Sequence, residues 1–103
     1  MRKERSEEQK ARVLGFAWYR PDQWELLREF APDGDQLEDH FEEWQEGANK
    51  ALRELESLGQ RVEKVDINVV ELVTWCNKNG RLPDGPARAA FTAEKIRSKY
   101  AKP

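Results

Sequence analysis

The sequence predicts a mostly helical α+β domain, with about four helices around one long central amphipathic helix and a minimal two-stranded sheet. Three observations predict it. From Leu37 the apolar residues fall at Phe41, Trp44, Ala48, Ala51, Leu55 and Leu58, with Leu52 widening the stripe, which is the spacing of a long helix. Val13 to Tyr19 (VLGFAWY) is the most strand-like run of the chain. Arg61 to Ile67 (RVEKVDI) is too short and polar for a helix, and Val62, Val65 and Ile67 suit a strand near a sheet edge.

In the first strand Leu14, Phe16 and Trp18 share one face, while Gly15 and Ala17 leave the other shallow enough for a helix to approach closely. Arg20-Pro21-Asp22 then reads as a helix start, since proline loses nothing at a position whose amide has no partner. Trp24, Leu27 and Ala31 form the inward face of that helix, with Phe30 beside it, and Pro32-Asp33-Gly34 stops it. The long helix is expected from Asp35 to Gly59. Asp35 would cap it with Glu38 in the capping-box position, and Gly59 would supply the left-handed residue at its end. The same spacing could mark a coiled-coil seam, but Ala48 and Ala51 are poor knobs and Gly47 interrupts the run.

The two strands are expected to pair, in a direction the sequence leaves open; a parallel pairing would make the two intervening helices a crossover. Asn68 can cap the next helix, with Glu71 in the box position and Val69, Leu72, Val73 and Cys76 facing inward. Asn79-Gly80 ends it, Leu82 to Pro86 turns, and a last helix runs from about Pro86 to Tyr100 with Ala89, Ala93, Ile96 and Tyr100 on one face.

The 103 residues suffice for one domain that buries roughly 65% of its unfolded surface, with 13–101 as the globular part. Residues 1–12, MRKERSEEQKAR, have almost nothing apolar to bury and are expected to be a mobile charged tail. Net charge is only −2, so global charge names no partner. Its distribution is uneven. Asp22 to Glu56 holds twelve acids against three bases, whereas residues 86–103 hold five bases against one acid. The single cysteine, Cys76, forms no internal disulfide, and no run is apolar enough for a membrane span, so a cytoplasmic protein is expected.

Residue types set most chemistry aside. There is no phosphate-cradling glycine loop, no GxSxG elbow and no CxxC pair, and no cofactor, metal or catalytic residue is assigned. Cys76 on an apolar face reads as a buried inert thiol. His40 and Glu43 have a spacing that can meet one metal ion, but nothing supplies a second His, and an imidazole at the stripe boundary beside Trp44 is the simpler account.

Glu38, Glu42 and Glu46 repeat every four residues, with Asp39 and Glu43 in a second row, so like charges stack on one helical surface. Something basic is expected opposite them. Arg88, Lys95 and Lys99 on the last helix are the internal candidates, and a basic partner surface is the external one. Nucleic acid is the less favoured partner while the longest helix shows acids to solvent; it would have to use Arg88, Lys95, Arg97 and Lys99, with Tyr100 or Phe91 stacking. Trp18, Trp24, Trp44 and Trp75 could frame an apolar pocket.

At Gly15-Phe16-Ala17-Trp18-Tyr19 with Trp24, at Glu71-Leu72 with Trp75-Cys76, and at Asp84-Gly85 with Ala87-Arg88-Ala89-Ala90-Phe91, the chain resembles small bacterial proteins of about this length with no assigned function. The resemblance covers most of the chain from Val13 onward. It implies a bacterial cytosolic origin and a self-contained domain, and no activity or site residue.

Two expectations follow. The first is a non-enzymatic interaction domain, monomeric or weakly dimeric, that turns Glu38, Asp39, Glu42, Glu43 and Glu46 toward a basic protein surface. The alternative is a ligand-binding or enzymatic domain built on the four tryptophans.

Overall fold

The protein's structure, a computed structural model, describes residues 13–101; the expected tail at 1–12 lies outside the described residues. In order come β1 (Leu14–Trp18), α1 (Pro21–Phe30), one turn of 3-10 helix (Gly34–Gln36), α2 (Phe41–Ser57), β2 (Val62–Asp66), α3 (Val69–Lys78) and α4 (Gly85–Tyr100). The fold is mostly helical α+β, as expected, with four α-helices and a two-stranded sheet among the described residues.

β1 and β2 are parallel, in a register that sets Leu14 against Val62 and Trp18 against Asp66. The helices α1 and α2 are therefore the crossover that a parallel pair requires. Alternation along the strands gives the sheet two faces. On one, Gly15 leaves room for α4: a Cβ built there would lie 3.2 Å from Ile96 Cβ and 3.2 Å from Val65 Cγ2. On the other, Trp18 meets Trp44 of α2, ring centroids 5.1 Å apart.

Most of the core lies between α1, α3 and α4. Trp24, Leu27, Ile67, Val69, Leu72, Cys76 and Ala87 are all but fully buried. The long helix sits at the rim of this core rather than at its middle, since only Ala48 of α2 is buried and the rest of its stripe is half-buried or, at Leu58, exposed. A two-stranded sheet is too narrow to cover a helix of this length, so its last turns run past the packed elements.

Three expected signals at the helix ends hold, and Asp84, expected only within a turn, adds a fourth as the N-cap of α4. Gly59 (φ 88°) and Gly80 (φ 63°) each occupy the left-handed position. The Gln60 amide bonds Leu55 C=O at 3.1 Å and the Arg81 amide bonds Cys76 C=O at 2.9 Å, as a Schellman ending requires. Asn68 Oδ1 accepts the Glu71 amide at 3.0 Å, and Asp84 Oδ1 accepts that of Ala87 at 2.9 Å.

The start of the long helix is a correction. It begins at Phe41 after an extended His40, and Asp35 lies in the preceding 3-10 turn. Two tertiary hydrogen bonds explain the delay. Trp24 Nε1–H donates to Glu38 C=O at 3.0 Å, and Arg28 donates to Asp39 C=O at 3.2 Å. A helix running through 35–43 would take both carbonyls for its own ladder and leave the buried indole without a partner.

Candidate functional site

α1 turns Trp24 inward, and three further rings gather on it. Trp44 of α2 stacks at 5.2 Å, Tyr19 stands edge-on to Trp24 at 5.7 Å and to Trp44 at 5.4 Å, and Trp18 abuts Trp44. Trp75 lies elsewhere. It packs on Phe91 at 5.5 Å, donates to Glu94 Oε1 at 3.0 Å and carries the Arg81 guanidinium 5.7 Å from its ring centroid. Three of the four tryptophans therefore converge and the fourth belongs to the α3–α4 contact.

Beside this cluster opens an apolar groove of about 500 Å³. Its floor is β1, from Leu14 to Ala17. One wall is α4, through Ala89, Ala93 and Ile96; the other is Leu37, Glu38 and Trp44, and Tyr19 and Arg88 also line it. Small residues on α4 and a glycine on β1 are what keep the groove open, because larger side chains there would fill it.

Arg88 is held firmly. Nη1 bonds Asp33 Oδ1 at 2.9 Å and Pro83 C=O at 2.9 Å, and Nη2 bonds Asp33 Oδ2 at 3.1 Å. That guanidinium keeps the Asp33 carboxyl below its ordinary range. Burial pushes the Tyr19 phenol up to about 12, against a smaller downward pull from Arg88.

The acidic residues separate into three environments. Asp39 is paired with Arg28 at 3.1 Å. Glu38 lies in the linker before α2, where its backbone carbonyl serves Trp24; the residue borders the groove and its side chain is exposed. Glu42, Glu43 and Glu46 are exposed on α2, so the helical ladder is shorter than the sequence suggested.

The bases expected to face them do not. Arg88 pairs with Asp33, Lys95 with Glu71 at 3.2 Å, and Lys99 with Glu63 at 2.8 Å; Tyr100 also donates to Glu63. α4 docks on β1 and α3 instead of on α2, because the shallow Gly15/Ala17 face admits it there. Among the described residues, no ion pair holds Glu38, Glu42, Glu43 or Glu46.

His40 is the exposed N-cap of α2, and its carbonyl accepts the Glu43 and Trp44 amides. Among the described residues no three His, Cys, Asp or Glu side chains gather as metal ligands. Cys76 is fully buried, and burial raises its thiol pKa, which suits a core residue rather than a nucleophile. No helix of the described residues is long and apolar enough to cross a membrane.

Sequence reasoning missed Gln23 and the Asp33–Arg88 pair. Gln23 is buried, and its Oε1 accepts the Val69 amide at 2.7 Å, so α1 caps the first turn of α3. Its place four residues before Leu27, on the apolar face, was the available signal. Asp33 and Arg88 lie 55 residues apart, and nothing local marks either.

No family model, no curated protein and no solved structure matches the chain. The resemblance to small bacterial proteins therefore gains no support from them.

Proposed function

We propose that the chain is a non-enzymatic protein-interaction domain of the cytoplasm whose partner presents a basic surface to the groove and to the acidic start of α2. One observation carries this: Glu38, which has an exposed side chain and no ion pair among the described residues, is one of the residues lining an apolar groove. Apolar area supplies affinity and unpaired charge supplies selectivity and association rate. Glu42, Glu43 and Glu46 extend the same negative field along α2. The single buried cysteine is the support for a reducing compartment.

The test is retention of basic proteins on the immobilised chain at low and high salt, against a Glu38→Lys, Glu42→Lys, Glu46→Lys control shown folded by circular dichroism. A partner held by the wild type, lost in the control and released by salt is the expected result. Equal retention by both would sink the acidic reading.

A second reading has its own observation, the volume of the groove beside Tyr19, Trp24 and Trp44, which is in the range of small-ligand sites. A small apolar ligand seated there would quench or shift tryptophan fluorescence saturably, and Ala93→Trp, which fills the groove, would abolish the change.

A further inference from the structure

We infer that the groove is the slot of a missing strand, and that it is filled by an extended peptide segment of the partner, apolar in its middle and flanked by Lys or Arg, added to the free edge of β1. The inference rests on the interaction reading above and names the form its partner takes.

In a parallel pair, alternate residues turn both N–H and C=O toward the neighbouring strand, and the residues between turn both away. Leu14 donates to Arg61 C=O at 2.8 Å and Trp18 C=O accepts from Ile67 at 3.0 Å, so Leu14, Phe16 and Trp18 serve β2. Gly15 and Ala17 therefore point two donors and two acceptors to the other side, along the groove. Among the described residues no hydrogen bond takes any of the four.

The side chains agree. The groove straddles this edge, with α4 on one face of β1 and the Leu37/Trp44 wall on the other, which is where the two faces of a third strand would be covered. Edge strands are ordinarily protected by charge. β2 follows that rule with Glu63, Lys64 and Asp66, whereas Leu14–Trp18 has no charged residue at all. At about 3.3 Å per residue, the edge of β1 matches an extended segment of about five residues.

The occupant follows from charge and space. A second copy adding its own β1 would bring its own α4 and Trp44 wall about 4.8 Å away, where packed helices need about 8–10 Å. Residues 1–12 of this chain, with eight charged residues of twelve, offer no apolar run to the groove. An isolated segment from a partner meets neither obstacle, and a base beside its apolar middle would answer Glu38.

The probe is the peptide Lys-Lys-Val-Ile-Val-Ile-Lys-Lys, with one analogue N-methylated at alternate amides and another flanked by Glu, titrated into the full chain. Amide hydrogen exchange by NMR reads the edge directly. In the free protein Phe16 and Trp18 should be protected and Gly15 and Ala17 exchange freely; bound peptide should protect the latter pair. Methylation in the edge-facing register should weaken binding about tenfold or more, the loss of one or two hydrogen bonds, and acidic flanks should weaken it similarly. Ala17→Pro removes an edge donor that β2 does not use and should block the peptide alone.

Protection of Gly15 and Ala17 before any peptide is added would overturn the inference: if it grows with protein concentration a second copy fills the slot, and if not, the chain's own terminus does. Equal binding of the methylated peptide would overturn strand addition while leaving the basic-partner reading standing. Failure of both Lys-flanked peptides to bind would remove the two together.

Discussion

Arg88 of α4 closes a two-pronged ion pair on Asp33, Nη1 to Oδ1 at 2.9 Å and Nη2 to Oδ2 at 3.1 Å, and so ties the last helix to the turn that ends the first one. Both side chains are largely shielded, 15% and 30% exposed, which makes this pair worth more than a surface bridge. The same two residues brace one end of the groove, since Arg88 lines it.

Asp33→Asn should destabilise the fold by about 1–3 kcal/mol in urea unfolding, as expected for hydrogen bonds to a charged group. The pH dependence has a definite sign. Because the folded pKa of Asp33 lies below its ordinary value, its stabilisation is complete above the unfolded pKa and is lost as pH falls through the folded one. The gap between wild type and Asp33→Asn should stay constant from neutral pH to about pH 5 and close below that.

Gln23→Leu should lower stability by about 1–3 kcal/mol although it adds apolar area to the core, because the Val69 amide would be left buried without an acceptor. A gain in the urea midpoint would show that water or another group replaces the carbonyl.

Two glycines should respond in opposite directions. A Cβ at Gly34 would sit 2.0 Å from Arg28 C=O, so Gly34→Ala must push α1 and the 3-10 turn apart and should cost about 1–3 kcal/mol or more. At Gly47, inside α2, nothing lies within 4 Å of the new methyl, and Gly47→Ala should stabilise by about 0.5–1 kcal/mol. Thermal melts of the two variants decide both.

Absorbance titration of the tyrosines should find neither at the ordinary value of 10.0: burial carries Tyr19 to about 12, and the bond to Glu63 raises Tyr100. A raised folded pKa means the neutral phenol is favoured, so this contribution is complete below pH 10 and is lost as pH rises toward 12. Tyr19→Phe should keep more of its stability between those values. Cys76, buried with a raised pKa, should react with a thiol reagent only at the rate of unfolding.

Much of the fold was legible because it is written in short-range chemistry. Asn68, Gly59 and Gly80 act within one helical turn of themselves, and the Gly15/Ala17 face announces a close helix by the side chains it lacks. The candidate site was legible only in pieces. Trp24 and Trp44 were visible as aromatic, and Glu38 as acidic, but the groove that joins them to β1 and α4 involves residues from opposite ends of the chain.

The sequence by itself determined the helical and strand segments, their order, most of their ends and the inward faces of α1 and α3, since these depend on periodicity and on capping within a few residues; on α4 it found only Ile96, because Ala87, Phe91 and Thr92 are buried there while Ala89, Ala93 and Tyr100 are exposed. Tertiary structure decided that the long helix starts at Phe41, that the bases of α4 answer Asp33, Glu71 and Glu63 rather than α2, and that β1 pairs with β2 alone among the described residues. The first two outcomes pit a local preference of about 1 kcal/mol against bonds between distant residues of similar size. Trp24 reaching Glu38, or Arg88 reaching Asp33, is enough to reverse the local choice, and no window of sequence contains both partners with the distance between them.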